Sequence, residues 1–275
     1  MKGFVLENIK LIEKNGNLIV LGNQNGKITL FWNEINDSKI SLIVEENSTI
    51  DLLEIDEKEN SEFNVTIKNN SSVHYNVFTS GLAYHSKRTF YLDENASLRA
   101  GYADFSKGKK VVDIQVNLNG IYSNVEWHLA SLSQNEDKKI FNVNFEHNNQ
   151  LTFAKMENYG VCKDKSTLGF LGDAVIYKNC KKSSTNQSAK IMVFDKTCHA
   201  IASPKLCIYE NDVQASHGAS EGQINPEHVF YLTSRGIPED YAKRLITLGY
   251  LNPIIKYFKD EAIQNKIRDC IIEEV

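Results

Sequence analysis

The chain lacks several things whose absence narrows its function. No C-x-x-C pair occurs among its five cysteines, Cys162, Cys180, Cys198, Cys207 and Cys270, and their number is odd. Neither a disulfide framework nor a standard zinc site is therefore expected, and each cysteine reads first as a small buried hydrophobe. No stretch approaches the roughly 18 unbroken apolar residues of a membrane helix, so no membrane partner is expected. The opening MKGFVLENIKLIEKNG has no clean apolar segment and no small-residue cleavage site. It predicts no signal peptide and a cytoplasmic protein. In that compartment, N-x-[S/T] matches such as Asn47-Ser48-Thr49 are only good turn residues. A basic excess is missing as well: 31 Lys and Arg stand against 35 Asp and Glu, for a net charge of −4. That balance argues against a non-specific nucleic-acid binder.

What is present is a repeat. ENSTIDLLE at 46, NNSSVHYNV at 69 and ENASLRAGY at 94 each place an asparagine-containing polar turn before alternating apolar and polar residues. The first apolar positions, Ile50, Val73 and Leu98, are 23 and 25 residues apart. The phase extends through Val125, Leu151, Val175 and Ile201, in steps of 27, 26, 24 and 26. Between these runs lies a second series, KVVDIQVNL, KKIFNVNFE, TLGFLG and AKIMVF. The segments are rich in Val, Ile, Phe and Tyr and alternate as half-buried strands do. A sustained period of this size means stacked supersecondary units. The turns carry no helical pattern, which excludes helical solenoids and βαβ winding. A propeller blade is longer, about 40 residues or more. The spacing predicts a mainly β chain, a β-helix of two or three strands per coil. A jelly roll or other sandwich is the rival, since alternating strands and turns are all it needs.

The pattern changes at Asn225. Asn225 is a good N-cap, Pro226 suits the first helical position and Glu227 sits where the helix dipole favours it. Gly236 can stop that helix. Pro238 opens a second helix with Tyr241, Ala242, Leu245 and Leu248 at helical spacing, and Gly249 can end it. Asn252-Pro253 starts a third, carrying Ile254, Ile255, Phe258, Ile263, Ile267 and Ile271. The expected division is a β-helix core at 1–224 and a small C-terminal helical domain at 225–275. The helices either cap the exposed end of the stack or dock another protein.

Between the two parts, ASHGASEGQINPEHVFYLTSRGI follows SPKLCIYENDV. These blocks resemble the SufB/SufD scaffold proteins of the SUF iron–sulfur cluster assembly system, close to that family's S-H-G-A-[ST]-x-G block and its R-G-[IL] end. SLIVEENSTIDLLE and KSSTNQSAKIMVF resemble an early and a late rung of the same family, so the likeness covers roughly residues 41 to 250. The resemblance implies a right-handed parallel β-helix followed by a C-terminal helical domain. It implies a dimer formed through the last rungs, as a homodimer or as a heterodimer with a paralogous subunit. It implies a SufC-type ABC ATPase docked on the C-terminal helices, meeting Arg235, Gly236, Tyr241, Arg244 and Leu245. It also implies an iron–sulfur cluster assembled transiently on the complex. No G-x-x-x-x-G-K-[S/T] motif occurs, so no nucleotide is expected on this chain and ATP must be hydrolysed by the partner.

Two departures from the family stand out. The chain is short, and the N-terminal helical domain of larger members is expected to be absent. The ligands are incomplete as well: Gly218 stands where B-type members carry glutamate, Ala189 about where they carry a cysteine, and Ala215 where D-type members carry one.

His217 reads from spacing alone as a histidine at a glycine-containing turn. The resemblance makes it a cluster ligand, since neutral imidazole binds iron when its other nitrogen is held. Cys198 and Cys207 are the thiolate candidates, with Cys198 beside His199. An odd separation along one strand puts them on opposite faces unless a bend intervenes, and Pro204 is the candidate bend. Gly218 and Gly222 are expected to serve backbone geometry. Three functions therefore compete: a non-enzymatic assembly scaffold, an adaptor that recruits the ATPase without a cluster, and a polysaccharide-active β-helix enzyme. The last would need clustered carboxylates or basic residues on one strand face, and none is evident.

Overall fold

The computed structural model describes residues 3–55, 60–82 and 85–273. It is a solenoid of two facing sheets, to which each coil contributes one strand apiece. The first sheet runs in the order β1 (Phe4–Glu7), β4 (Asn25–Phe31), β6 (Thr49–Ile55), β8 (Ser72–Thr79), β10 (Ser97–Asp104), β12 (Asn124–Ser133), β14 (Phe153–Cys162), β16 (Ser184–Val193) and β18 (Gln214–Gln223). The second runs from β2 (Leu11–Lys14) through β3 (Asn17–Val20), β5 (Lys39–Val44), β7 (Ser61–Ile67), β9 (His85–Leu92), β11 (Lys109–Leu118), β13 (Lys138–His147) and β15 (Thr167–Ile176) to β17 (His199–Ile208). All pairs are parallel except β1–β4 and β2–β3, which fold back and finish the N-terminal end. This is the mainly β, parallel β-helix architecture that the repeat predicts.

The predicted phase holds for four coils and then slips. Ile50 pairs with Val73, Val73 with Leu98 and Leu98 with Val125. Val125 then pairs with Ala154, not Leu151, and Ala154 with Thr185. Val175 and Ile201 lie in β15 and β17 of the opposite sheet. TLGFLG and GDAVI, read as separate strands, are one continuous β15, whereas AKIMV belongs to β16 of the first sheet. The cause is growth of the coil. Strands lengthen from seven residues in β4 to ten from β11 onward, so a fixed period drifts onto the other sheet.

The asparagine turns have a definite job. Asn23, Asn47, Asn70 and Asn95 all adopt left-handed backbone, with φ between 55° and 61°. Each donates its N–H to a carbonyl of the next coil, as Asn70 does to Glu94 O at 2.9 Å and Asn95 to Ile121 O at 2.9 Å. Asparagine tolerates this region better than most L-residues. The column continues through Tyr122, Leu151 and Lys182, also at positive φ, where no such tolerance exists. Lys182 is exposed, so Lys182→Asn relieves strain without loss of packing. We expect a gain of about 0.5–1 kcal/mol, read as a Tm rise of roughly 2–4 °C by calorimetry.

Between the sheets lies one continuous core, from Val20, Ile28 and Leu30 at one end to Phe170, Ala189 and Ile191 at the other. Inward alternation drives it: every second residue of each strand is withdrawn from water. The tail forms three α-helices, α1 (Pro226–Thr233), α2 (Glu239–Leu251) and α3 (Glu261–Glu273). Asn225 caps α1 through its side chain, accepting from Glu227 N at 2.9 Å, and Gly236 follows at φ 85°. Gly249 does not end α2, which runs on to Leu251. The third helix begins later than expected: Asn252–Tyr257 is a 3-10 turn, and Asp260 then accepts from Ala262 N and Ile263 N.

The helices do not cap the end of the stack. Ile254, Ile255, Tyr257, Phe258, Ile263, Ile267 and Ile271 pack on the outer face of the first sheet, against Leu53, Phe78, Ala103, Ala130 and Val161. His128, on that outer face, is stacked on Tyr257 at 5.1 Å, and burial lowers its pKa to about 4. Apolar residues on both faces of this sheet explain why the tail takes its flank. A helix stripe gains more by covering an apolar sheet than by crossing backbone edges.

Candidate functional site at the open terminal coil

The last coil is left open. β17 and β18 are the edge strands at the same end of the two sheets, and all ten residues of β18 are exposed. β18 is the stretch that reads as turn-like in sequence. It is instead a full strand, paired with β16 from Ser184↔Gln214 to Val193↔Gln223. Ladder bonds to β16 override the low strand propensity of ASHGASEG.

His217 is therefore mid-strand, paired with Gln187. Gln187 belongs to the inward phase of β16, with Ala189 and Ile191, so His217 points to the inside of the solenoid at its open mouth. Glu221 shares that phase and reaches across the coil, where its carboxylate accepts from Ala202 N of β17. Gln187 is 1 % exposed, and neither its amide oxygen nor its amide nitrogen has a hydrogen-bond partner among the described residues. The strand register sets this unpartnered amide beside His217. Its sequence signal was a glutamine in the inward phase of STNQSAKIMV.

Gly218 and Gly222 do not serve backbone geometry as expected. Neither has a positive φ, and a Cβ on either would meet nothing within 4 Å. Nothing within this chain calls for glycine there.

The thiol candidates fall elsewhere. β17 is unbroken in register from Thr167↔His199 to Ile176↔Ile208, so Pro204 introduces no bend. Cys198 and Cys207 accordingly lie on opposite faces. Cys198 packs against the core with Ala200 and Ala202, whereas Cys207 has the outward phase and pairs with Val175. It lies beside the stacked rings of Tyr177 and Tyr209, 6.3 Å apart.

Nor does one chain bring His217 and Cys198 together. The Glu221–Ala202 contact fixes which residues face each other across the coil. His217 precedes Glu221 by four positions and so faces the region of Leu206, while Cys198 precedes Ala202. Cys198 is at a corner and His217 within the strand, roughly 25 Å apart at about 3.3 Å per strand residue. Among the described residues no group of three or more His, Cys, Asp or Glu could hold a metal ion.

The neighbour of Cys198 is a residue given little weight in the sequence, Cys162 at the end of β14. The two thiols border the same turn: Cys162 Sγ lies 4.0 Å from His199 O and Cys198 Sγ 3.6 Å from Asp164 O. Cys162 Sγ also lies 3.2 Å from Ser166 Oγ, and burial pushes its pKa up to about 12. Cys180 donates to His147 O at 3.1 Å, and Cys270 lies in α3 against the helical core.

The predicted docking residues gather on the tail. α1 has no buried residue, and Phe230, Tyr231 and Tyr241 are 72 %, 55 % and 53 % exposed. The Arg235 guanidinium lies 4.5 Å from the Tyr231 ring centroid. Arg244 is exposed and Leu245 half-buried on α2. No helix among the described residues is long and apolar enough to cross a membrane.

Comparison with known proteins gives a consistent result. The family model for the SUF system FeS cluster assembly SufBD core domain matches residues 28–250. The iron–sulfur cluster assembly protein SufD of Bacillus subtilis is 25% identical over 210 residues, covering 75% of this chain and 48% of that protein. SufD of Escherichia coli is 27% identical over 122 residues, 44% of this chain and 29% of its own length. An iron–sulfur cluster assembly SufBD family protein of Pyrococcus horikoshii is 24% identical over 218 residues, with 78% and 46% covered. The chain thus spans about half or less of the length of these relatives.

Proposed function

This chain belongs to the SufBD core family of the SUF iron–sulfur cluster assembly system, and on that premise we propose that it is a non-enzymatic scaffold subunit. In this reading its terminal coil joins a second subunit, and α1 with the start of α2 docks an ABC-type ATPase that supplies the ATP chemistry. The observation that carries it is the open mouth: two unpaired strand edges at one end, with an inward histidine between them. Exposed strand edges are templates for pairing. The glycines of β18, whose Cβ positions are empty within the chain, suit close approach by another backbone.

The second subunit is an identical copy or a paralogue of the same fold. A two-fold axis perpendicular to the sheets sets β18 antiparallel to its counterpart. That operation reverses the strands end for end, and with the axis passing near Glu221 it sets His217 of one subunit over Cys198 of the other. A cluster ligand set of one imidazole and one thiolate then forms across the seam. Neither subunit holds it alone, which fits the wide separation of the two residues within one chain. Cys207, on the outer face, takes no part. All five cysteines are free thiols, which suits the reducing cytoplasm.

For the ATPase, the support is a helix with no buried residue that carries two exposed aromatic rings and is followed by Arg235, whose guanidinium lies over the Tyr231 ring. Such anchors suit a protein interface. The test is co-elution with a co-expressed SUF ATPase on size exclusion. Wild-type protein is expected to carry the ATPase. The double variant Tyr241→Ala, Arg244→Glu is expected to lose it, at least about tenfold in Kd, with its melting curve unchanged. Co-elution that survives the double change, or wild-type protein that carries none, would sink the docking reading. The adaptor without a cluster is the second reading, favoured by Ala189 and Ala215 standing where family members carry cysteine. Cluster reconstitution separates it from the first.

A further inference from the structure

We propose that Cys162 and Cys198 form a redox-active dithiol that closes to a disulfide and staples the terminal coil to the one before it. Cys162 ends β14 and Cys198 directly precedes β17, so the two belong to successive passages through one corner. Both face the Lys163–Ser166 turn: Cys162 Sγ contacts Ser166 Oγ at 3.2 Å, and Cys198 Sγ lies 3.6 Å from Asp164 O. Ser166 O in turn accepts from His199 N at 2.9 Å, which holds Cys198 beneath that turn. Cys162 Sγ reaches to 4.0 Å from His199 O. The two sulfurs thus border the same turn from successive coils, and both thiols are free.

Access is one-sided. Cys162 is fully buried, while Cys198 is partly exposed behind the exposed turn at 195–197. The order of chemistry follows. With glutathione disulfide as the oxidant, Cys198 thiolate attacks one of its sulfurs and releases the first glutathione as thiolate. The Cys162 sulfur then attacks the Cys198 sulfur of the mixed disulfide and expels the second glutathione. One S–S bond breaks in the oxidant and one forms in the protein. Two electrons pass from the protein pair to the two glutathiones, which take up the two thiol protons.

The closed form ties the ends of a full coil and removes the Cys198 thiolate from any ligand set. This last consequence rests on the seam reading above; disulfide closure itself does not.

The test omits iron. Protein is equilibrated over a series of ratios of reduced to oxidised glutathione, free thiols are alkylated, and peptides are mapped by mass spectrometry without reduction. We expect a linked Cys162–Cys198 peptide pair, with Cys180 and Cys270 alkylated throughout. In Cys162→Ser, or in Cys162→Ala should serine impair folding, Cys198 is expected to accumulate a stable glutathione adduct, at least about tenfold above the wild type. The inference is overturned if Cys162 and Cys198 both remain alkylatable where exposed thiols already carry glutathione. It is equally overturned if wild-type Cys198 holds glutathione without passing it on. Because no cluster is read, failure here leaves the seam reading standing, and failure of the seam leaves this one.

Discussion

Anaerobic reconstitution of His217→Ala with ferrous iron and sulfide is expected to yield at least about tenfold less cluster absorbance than the wild type. Cys198→Ser is expected to lose a similar fraction. The decisive sample is a mixture of the two variants, unfolded and refolded together. If one imidazole and one thiolate meet across the seam, each mixed dimer contains one complete site and one site lacking both ligands. Random pairing makes about half of all dimers mixed, so about a quarter of the wild-type absorbance should return. Two inert proteins would thus restore each other. No recovery on mixing, with dimers confirmed by light scattering, would remove the composite site. Unchanged yield in both single variants would remove His217 and Cys198 as ligands and leave the adaptor reading. Gln187→Leu tests the amide beside His217: the imidazole stays but loses its polar neighbour, and an intermediate yield is expected.

The second large effect lies inside the solenoid. Asp104 is fully buried and accepts from Lys139 Nζ at 2.9 Å, with Lys110 Nζ at 3.1 Å. Ser106 and Ser131 donate to it at 2.7 and 2.9 Å. Lys139 also donates to Leu132 O at 2.6 Å, and Lys110 to Thr79 Oγ1 at 3.2 Å. One carboxylate therefore serves two ammonium groups that have no access to water. Asp104→Asn takes the buried negative charge away from both. We expect a loss of about 3–5 kcal/mol in urea unfolding, and a Tm roughly 10 °C lower. A triple change of Asp104, Lys110 and Lys139 to Leu, Met and Met should recover much of that loss, since the charges are removed together. A variant Asp104→Asn as stable as the wild type would mean that water reaches the site.

The same group sets an acid limb. Burial opposes ionisation of Asp104, but Lys139 and Lys110 outweigh it and hold the carboxyl well below the usual aspartate range. Its folded pKa is thus lower than its unfolded one. The stabilisation is complete above the ordinary aspartate value of about 4 and is lost as pH falls below it toward the folded value. Asp104→Asn should lack that part of the acid dependence. A second buried pair, Arg88 with Glu54, repeats the design, its carboxylate two coils earlier, with Trp32 Nε1 donating to Glu54 at 2.7 Å.

These buried charges were visible in part. In KKVVDIQVNL and KKIFNVNFEH, Lys110 and Lys139 sit in phase with Val112 and Phe141, the inward positions. Alternation puts both lysines in the inward phase, but nothing local names Asp104 as their partner, because it comes from the opposite sheet. The same limit explains why Cys162 reads in sequence only as a weaker candidate than Cys198. The N-cap at Asn225 and the stop at Gly236 needed only adjacent residues, and both are present as read. The stop at Gly249 failed because the apolar stripe of α2 continues to Leu251, and packing on the sheet outweighs the cost of a helical glycine.

The residue order by itself settled the local features: strands from alternation of period two, left-handed turns from asparagine, helix starts from Asn and Pro, and kinship from the block at 214–237. Each depends on interactions within a few positions. Tertiary structure alone decided how long each coil is, which face the helices cover, and that His217 and Cys198 stand far apart across an open mouth. Those outcomes depend on stacking between residues 23 to 32 positions apart. A coil closes only when its strand lies in register over the previous one, and no short window of sequence contains that condition.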